Sequence, residues 1–290
     1  MYRTDAFYIG FSDIVVKLTP PEQGLQLSRE LKELLLPEPP AQPADARYRI
    51  VLLDHPLPEE DAPVYTYSGI RLYRTEEGWL RIHPLRCSEN GCQVACLLRF
   101  EGEHTLYYPA QMWDHYANPL HCAHLLGLET VLIKRNAFLL HSSVVMYEGK
   151  TVLFCGPSGV GKSTQAQLWQ DHLGATVLNG DRCVIMEKDG IFYGGGSPLA
   201  GSSNIYHPEQ APIAAIFLPE HAPENRVSRL GFAALAPLMS QTLLNSWDSR
   251  FMEQLAELYQ NLLAQVPIYR LSCRPDRQAV ILAKEALENL

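Results

Sequence analysis

A chain of 290 residues with 47% apolar residues and a net charge of -8 can bury a substantial core, in one large domain or two modest ones. That acidic balance, with no Lys/Arg-rich block to offset it, argues against nucleic acid as the main partner. No apolar run approaches the length of a membrane span, so no membrane partner is expected.

The N-terminal Met1-Tyr2-Arg3-Thr4-Asp5 lacks the basic-then-apolar layout of a secretory signal. Seven cysteines, an odd number scattered along the chain, do not form a disulfide framework, and the expected compartment is the cytoplasm. Cys87, Cys92 and Cys96 cluster, but their spacing lacks the close pair of a zinc site. Ser88-Glu89-Asn90-Gly91 between them reads as a hairpin turn.

Taken in order, Phe7 to Leu18 is β-prone and Leu27 to Leu36 is helix-like. Pro37 to Pro43 follows as a polyproline-like connector. Arg47 to Leu53 reads as a strand. From Val64 to Tyr108, short β segments alternate with Gly-containing turns, which predicts an antiparallel sheet. Asn118 to Arg135 has the composition of a bridging helix carrying His121 and His124. Without a third ligand, that pair reads as an amphipathic surface before a metal site. Residues 1–135 thus form a β-rich N-terminal region with no catalytic residue pattern, and 136–290 a second region.

The second region is built around Gly156-Pro157-Ser158-Gly159-Val160-Gly161-Lys162-Ser163-Thr164. This run satisfies the phosphate-loop pattern G-x-x-x-x-G-K-[ST]. A strand-like run, Thr151 to Cys155, leads in, and a helix-compatible run leads out. In such a loop, glycines turn backbone N–H groups toward phosphate oxygens and the helix N-terminus adds positive potential. Lys162 reaches the β/γ-phosphates and the Ser163 hydroxyl ligates Mg²⁺. The bland alternative is a glycine-rich turn, and the flanking strand and helix argue against it.

Phe138 to Tyr147 is a strand, and Glu148-Gly149-Lys150 is a turn into the loop strand. The loop strand is therefore one arm of a hairpin, unlike a doubly wound parallel sheet, where crossovers join neighbours. Downstream, Thr176 to Leu178 is a strand and Arg182 to Glu187 forms a hairpin with Ile191 to Tyr193. A mixed, largely antiparallel α/β (α+β) sheet follows. Gly194 to Asn204 is too rich in Gly and Ser for a regular element, and reads equally as an inert loop or as a wall of the site. Ile213 to Leu218 is a strand and Phe232 to Leu244 is expected to be helical. Ser249 to Gln265 is the clearest amphipathic helix. Val266 to Leu271 is a strand, and Asp276 to Leu290 is a closing helix with Asp276 as N-cap.

Phosphoryl transfer needs a carboxylate besides the loop. Asp181, in Asn179-Gly180-Asp181-Arg182, follows the strand after the loop helix and can return to the loop mouth. The alternative is a solvated turn aspartate. Arg182 either contacts phosphate or pairs with an acid. Arg226 and Arg229 read as loop residues, either transition-state charges or surface ion-pair partners. His141, on the hairpin strand, is either a hydrogen-bonded core histidine or a catalytic neighbour of the phosphates.

Leu140-His141-Ser142-Ser143-Val144, Gly156 to Ser163 and Asp181-Arg182 together resemble the catalytic domain of HPr kinase/phosphorylase. More distantly they resemble the nucleotide site of phosphoenolpyruvate carboxykinase. The resemblance implies a phosphate loop set in a mixed sheet, ATP and Mg²⁺ as cofactors, and catalytic roles for His141, Lys162, Asp181 and Arg182. It also implies Ser163 and Asp181 as the metal ligands. The family has two adjacent aspartates where this chain has Gly180-Asp181. The expected activity is transfer of the γ-phosphoryl group of ATP to a hydroxyl, of a serine in a peptide or protein or of a small molecule. The alternative is a catalytically weak ATP/ADP-binding module using the N-terminal region as its partner surface. Neither the acceptor nor the oligomeric state is fixed by these residues.

Overall fold

Alternating burial builds the first half of this chain: along Ile14–Thr19 every second side chain is buried, the period of a strand with one face on a core. The computed structural model describes residues 4–27, 31–55, 57, 62–67, 69–84, 93–116 and 125–288. The chain splits into two units, Met1–Gly10 with Ile14–Val131, and Phe11–Asp13 with Leu132–Leu290. Both carry mixed, mostly antiparallel sheets with few helices.

The first unit's strands are β1 (Phe7–Phe11), β2 (Ile14–Thr19), β3 (Ala46–Leu53), β4 (Tyr65–Tyr67), β5 (Ile70–Arg74), β6 (Gly78–Pro84), β7 (Gln93–Arg99) and β8 (His104–Pro109). They lie in the order β1-β2-β3-β8-β7-β6-β5-β4. β3 runs parallel to β2 and β8, and from β8 to β4 the pairing is antiparallel. The antiparallel sheet expected from Val64 to Tyr108 is present as β4 to β8, and parallel pairs through β3 extend it. Among the described residues the short helices α1 (Trp113–Tyr116) and α2 (Leu128–Leu132) follow. Arg81 pairs with Glu129 in the interior, where the mutual charge holds the guanidinium protonated despite burial. In the described residues the predicted 118–135 helix is broken into a helical Leu125, α2 and a 3₁₀ turn, Ile133–Arg135. Asn136 stops it at φ 52, a conformation Asn tolerates. In its described residues the predicted Leu27–Leu36 helix contributes a 3₁₀ turn, Leu31–Leu34. Cys87, Cys92, His121 and His124 lie outside the described residues. Cys96 is buried on β7.

The second unit runs β9 (Ala137–Tyr147), β10 (Lys150–Cys155), α3 (Lys162–Leu173), β11 (Thr176–Asn179), β12 (Arg182–Lys188), β13 (Ile191–Gly195), β14 (Gln210–His221), β15 (Arg226–Arg229), α4 (Leu235–Met239), α5 (Ser249–Gln265), β16 (Ile268–Cys273) and α6 (Arg277–Glu288). β10 lies between β9, antiparallel, and β14, parallel. Two long strands each serve three ladders, β9 with β10, β11 and β12, and β14 with β10, β13 and β16. β9 pairs β12 through Ala137 to His141 and β10 through Ser142 to Tyr147. β14 pairs β13 at its start and β10 and β16 further on.

Both faces of β10 are buried, which explains its unbroken apolar run. Leu153 and Cys155 face a core shared with Phe251, Leu255, Leu258 and Leu262 of α5. Val152 and Phe154 face the other, against Trp169 of α3 and Val280 of α6. Aromatic rings tie that second layer together: Trp169 meets Phe154 edge-on at 5.9 Å, and Phe154 stacks on Phe217 at 5.9 Å.

Two sequence expectations change here. Phe232 to Leu244 is not one helix but a 3₁₀ turn, Gly231–Ala234, and the short α4. Past α4 the backbone is drawn onto β9 instead: Leu243 N–H donates to Leu139 O at 3.1 Å. Arg226 and Arg229 lie on β15, antiparallel to β16, because the strand ladder claims a stretch that reads as loop.

Candidate functional site

The turn after β10 sets the geometry. Gly161 sits at φ 102, just before α3, a backbone state that a residue with a β-carbon rarely adopts. From there Lys162 folds back into the loop. Its ammonium donates to Gly156 O at 2.9 Å and Pro157 O at 3.0 Å, and only 7% of the residue is exposed. Desolvation pulls its pKa below the ordinary lysine value. Ser163, Thr164 and Ser158 are exposed, and Val160 N–H reaches back to Pro157 O at 3.4 Å. His221, at the end of β14, lies 3.3 Å from Gly159 O through Nε2.

Asp181 arrives from the other side. The turn joining β11 to β12 is fixed by Asn179, whose side chain is wholly buried. Asn179 Oδ1 accepts from the backbone N–H of Asp181 and of Arg182, both at 2.9 Å, and its Nδ2 donates to Ser197 O at 3.0 Å. Ser143 Oγ donates to Gly180 O at 3.1 Å, and Ser197 Oγ to Arg182 O at 2.7 Å. Backbone bonds complete the hold: Ser142 N–H donates to Asp181 O at 3.0 Å.

The Asp181 carboxylate then has two partners. His141 Nε2 lies 3.2 Å from Oδ1, and Arg182 Nε lies 3.9 Å from Oδ2. The hydrogen bond from His141, with the Arg182 charge, holds the carboxyl below the usual carboxylate range against partial burial. His141 and Arg182 are cross-strand neighbours on β9 and β12, which is why one carboxylate can touch both.

The Gly194–Asn204 stretch lies on the site. Gly180 and Gly201 interlock there: a β-carbon on Gly180 would come within 2.5 Å of Ser203 Cβ, and one on Gly201 within 2.8 Å of Asp181 Cγ. Lys162, Ser163, Asp181 and His141 face Ala200, Ser202 and Ser203 across one open cavity of about 360 Å³. Gly156, Pro157 and Val160 do not line it. Gly156 and Pro157 serve instead as the carbonyls that hold Lys162. Arg226 and Arg229 do not line it either.

The donor set fits a Mg²⁺-bound triphosphate. Ser163 and Asp181 are hard oxygen donors that leave most of the ion's positions for phosphate and water. The Lys162 ammonium rests on two carbonyls that phosphate oxygens can replace. Among the described residues there is no group of three His, Cys, Asp or Glu side chains able to hold a metal ion, and none of the helices is long and apolar enough to cross a membrane.

Reading the sequence alone misses Asn179, Ser197 and His221. Asn before Gly signals a turn, but not that its amide is the buried clasp of that turn. His221 carries no signal at all, because its role depends on where β14 ends.

No family model matches this chain, and no curated protein matches it. Among solved structures it is similar to the Hpr(Ser) kinase/phosphatase from Coxiella burnetii, at 10% identity and a TM-score of 0.31. That match covers 52% of this chain and 97% of the other.

Proposed function

We propose that the chain is a divergent HPr-kinase-related phosphotransferase that moves the γ-phosphoryl group of ATP to a hydroxyl, a serine of a peptide or protein being the favoured acceptor. The observation that carries this reading is the opening of Lys162, Ser163, Asp181 and His141 onto one cavity. Lys162 and the N-terminus of α3 take the phosphates. Ser163 and Asp181 would hold a Mg²⁺ ion, which would offset the charge of the phosphates. Asp181, ionised at neutral pH, accepts the acceptor hydroxyl's proton. His141 orients that carboxylate through Oδ1, and Arg182 adds positive charge beside it. Cytoplasmic residence and a hydroxyl-bearing partner belong to this same proposal.

A second reading, a nucleotide-binding module without transfer, draws on one feature. Gly180 stands where the resembled family has a further aspartate, and Ser203 occupies the space beside it. Incubation with γ-labelled ATP and peptide or small-molecule hydroxyl acceptors separates the two. The kinase reading expects a labelled acceptor, loss of nucleotide binding in Lys162→Ala, and retained binding with transfer lowered at least 100-fold in Asp181→Asn. Tight ATP binding with no labelled acceptor selects the module.

A further inference from the structure

The wall opposite Asp181 is itself a hydroxyl-bearing turn. Ser202 is exposed, lines the cavity together with Lys162, Ser163 and Asp181, and donates no hydrogen bond among the described residues. Its neighbour Ser203 is committed, donating to Ala200 O at 2.6 Å. The turn is seated on the acid. Gly201, at φ 54, lies so close that an added β-carbon would be 3.1 Å from Asp181 Oδ2, and Gly180 leaves the room that Ser203 fills. The 3₁₀ turn Gly201–Ser203 is closed by Ser203 N–H on Ala200 O at 3.2 Å. Upstream, the segment is anchored by Ser197, bonded to both Asn179 and Arg182.

We infer that Ser202 is a phosphoryl acceptor built into the chain, phosphorylated in cis by the site it faces. This rests on the phosphotransfer reading above. Ser202 Oγ attacks the γ-phosphorus of ATP, forming the Oγ–P bond. The bond from that phosphorus to the bridging oxygen breaks, ADP leaves with its electron pair, and the Ser202 proton passes to the Asp181 carboxylate. The product is a phosphate of charge near -2 beside an acidic side chain. It repels the next triphosphate, so the modification stops at one phosphoryl group per chain.

The test is incubation of the full chain with Mg²⁺ and ATP and no other acceptor, read by intact mass and peptide mapping. A single phosphoryl addition on Ser202 is expected, at a rate per chain independent of protein concentration. It should be absent in Lys162→Ala and in Ser202→Ala. Addition at another residue, addition that persists in Lys162→Ala, or a rate that rises with protein concentration overturns the inference. ATP binding, followed by thermal shift, and transfer of label from γ-labelled ATP to a serine peptide are measured alongside. No addition on Ser202 while the peptide is labelled overturns the inference and leaves the kinase reading intact. No addition and no labelled peptide despite ATP binding overturns both.

Discussion

Asp181 owes its low pKa chiefly to the hydrogen bond from His141, with Arg182 assisting. A carboxyl whose folded pKa is depressed adds stability above its unfolded pKa, about 3.9, and loses it as pH falls through the folded value. Wild type and Asp181→Asn should therefore differ in denaturant midpoint at neutral pH and converge below about pH 3.9. A gap that stays constant down the pH scale would remove the ionised carboxylate from the account. His141→Ala should raise the acid limb of the transfer rate toward the ordinary carboxylate range, because the hydrogen bond that is the main cause of the depression is then gone. At this scale the site is half legible. Lys162, Ser163 and Asp181 can be picked out from the sequence pattern, and the fold brings them to one cavity. Asn179 cannot be picked out in that way: it is wholly buried, and its amide nitrogen donates to Ser197 O, 18 residues on.

Elements hold these residues in place, and two glycines decide how closely. Gly180→Ala places a β-carbon 2.5 Å from Ser203 Cβ, so either the acid turn or the facing turn must shift. Transfer should fall at least tenfold, as expected for a misplaced catalytic group, and Ser203→Gly in the same chain should restore most of it. Failure of the second change to rescue the first would mean that the contact is not what limits the variant. The helices lend themselves to the simpler language of stability. Asp248 caps α5 by accepting from Arg250 N–H and Phe251 N–H, and Asp248→Ala should cost about 1 kcal/mol in a chemical melt. Trp169, with no exposed surface, packs α3 to β10, and Trp169→Ala should cost about 3–5 kcal/mol. Nucleotide affinity should fall with it, since α3 carries Lys162. The α5 stripe is readable because one face of Ser249–Gln265 carries its large apolar residues. The 232–244 region misleads because its composition suits a helix while β9 competes for its backbone.

Across the whole molecule, two sheets of mixed hand account for most of the fold, and the hairpin around Gly149 is what makes the second recognisable from residues alone. What the residues do not announce is how β14 is shared. Its parallel contact with β10, Thr151 opposite Ile213 and Phe154 opposite Phe217, joins segments far apart in the chain, and no local pattern encodes such a partner. β10 is translated well before this neighbour exists. A nascent chain that ends short of Gln210 carries β10 paired to β9 alone, with an apolar strand edge bare to any passing segment, the usual starting point for edge-to-edge aggregation. Expression of this protein should therefore depend on chaperone capacity during that interval of synthesis, and fragments cut before β14 should be insoluble however intact their loop sequence.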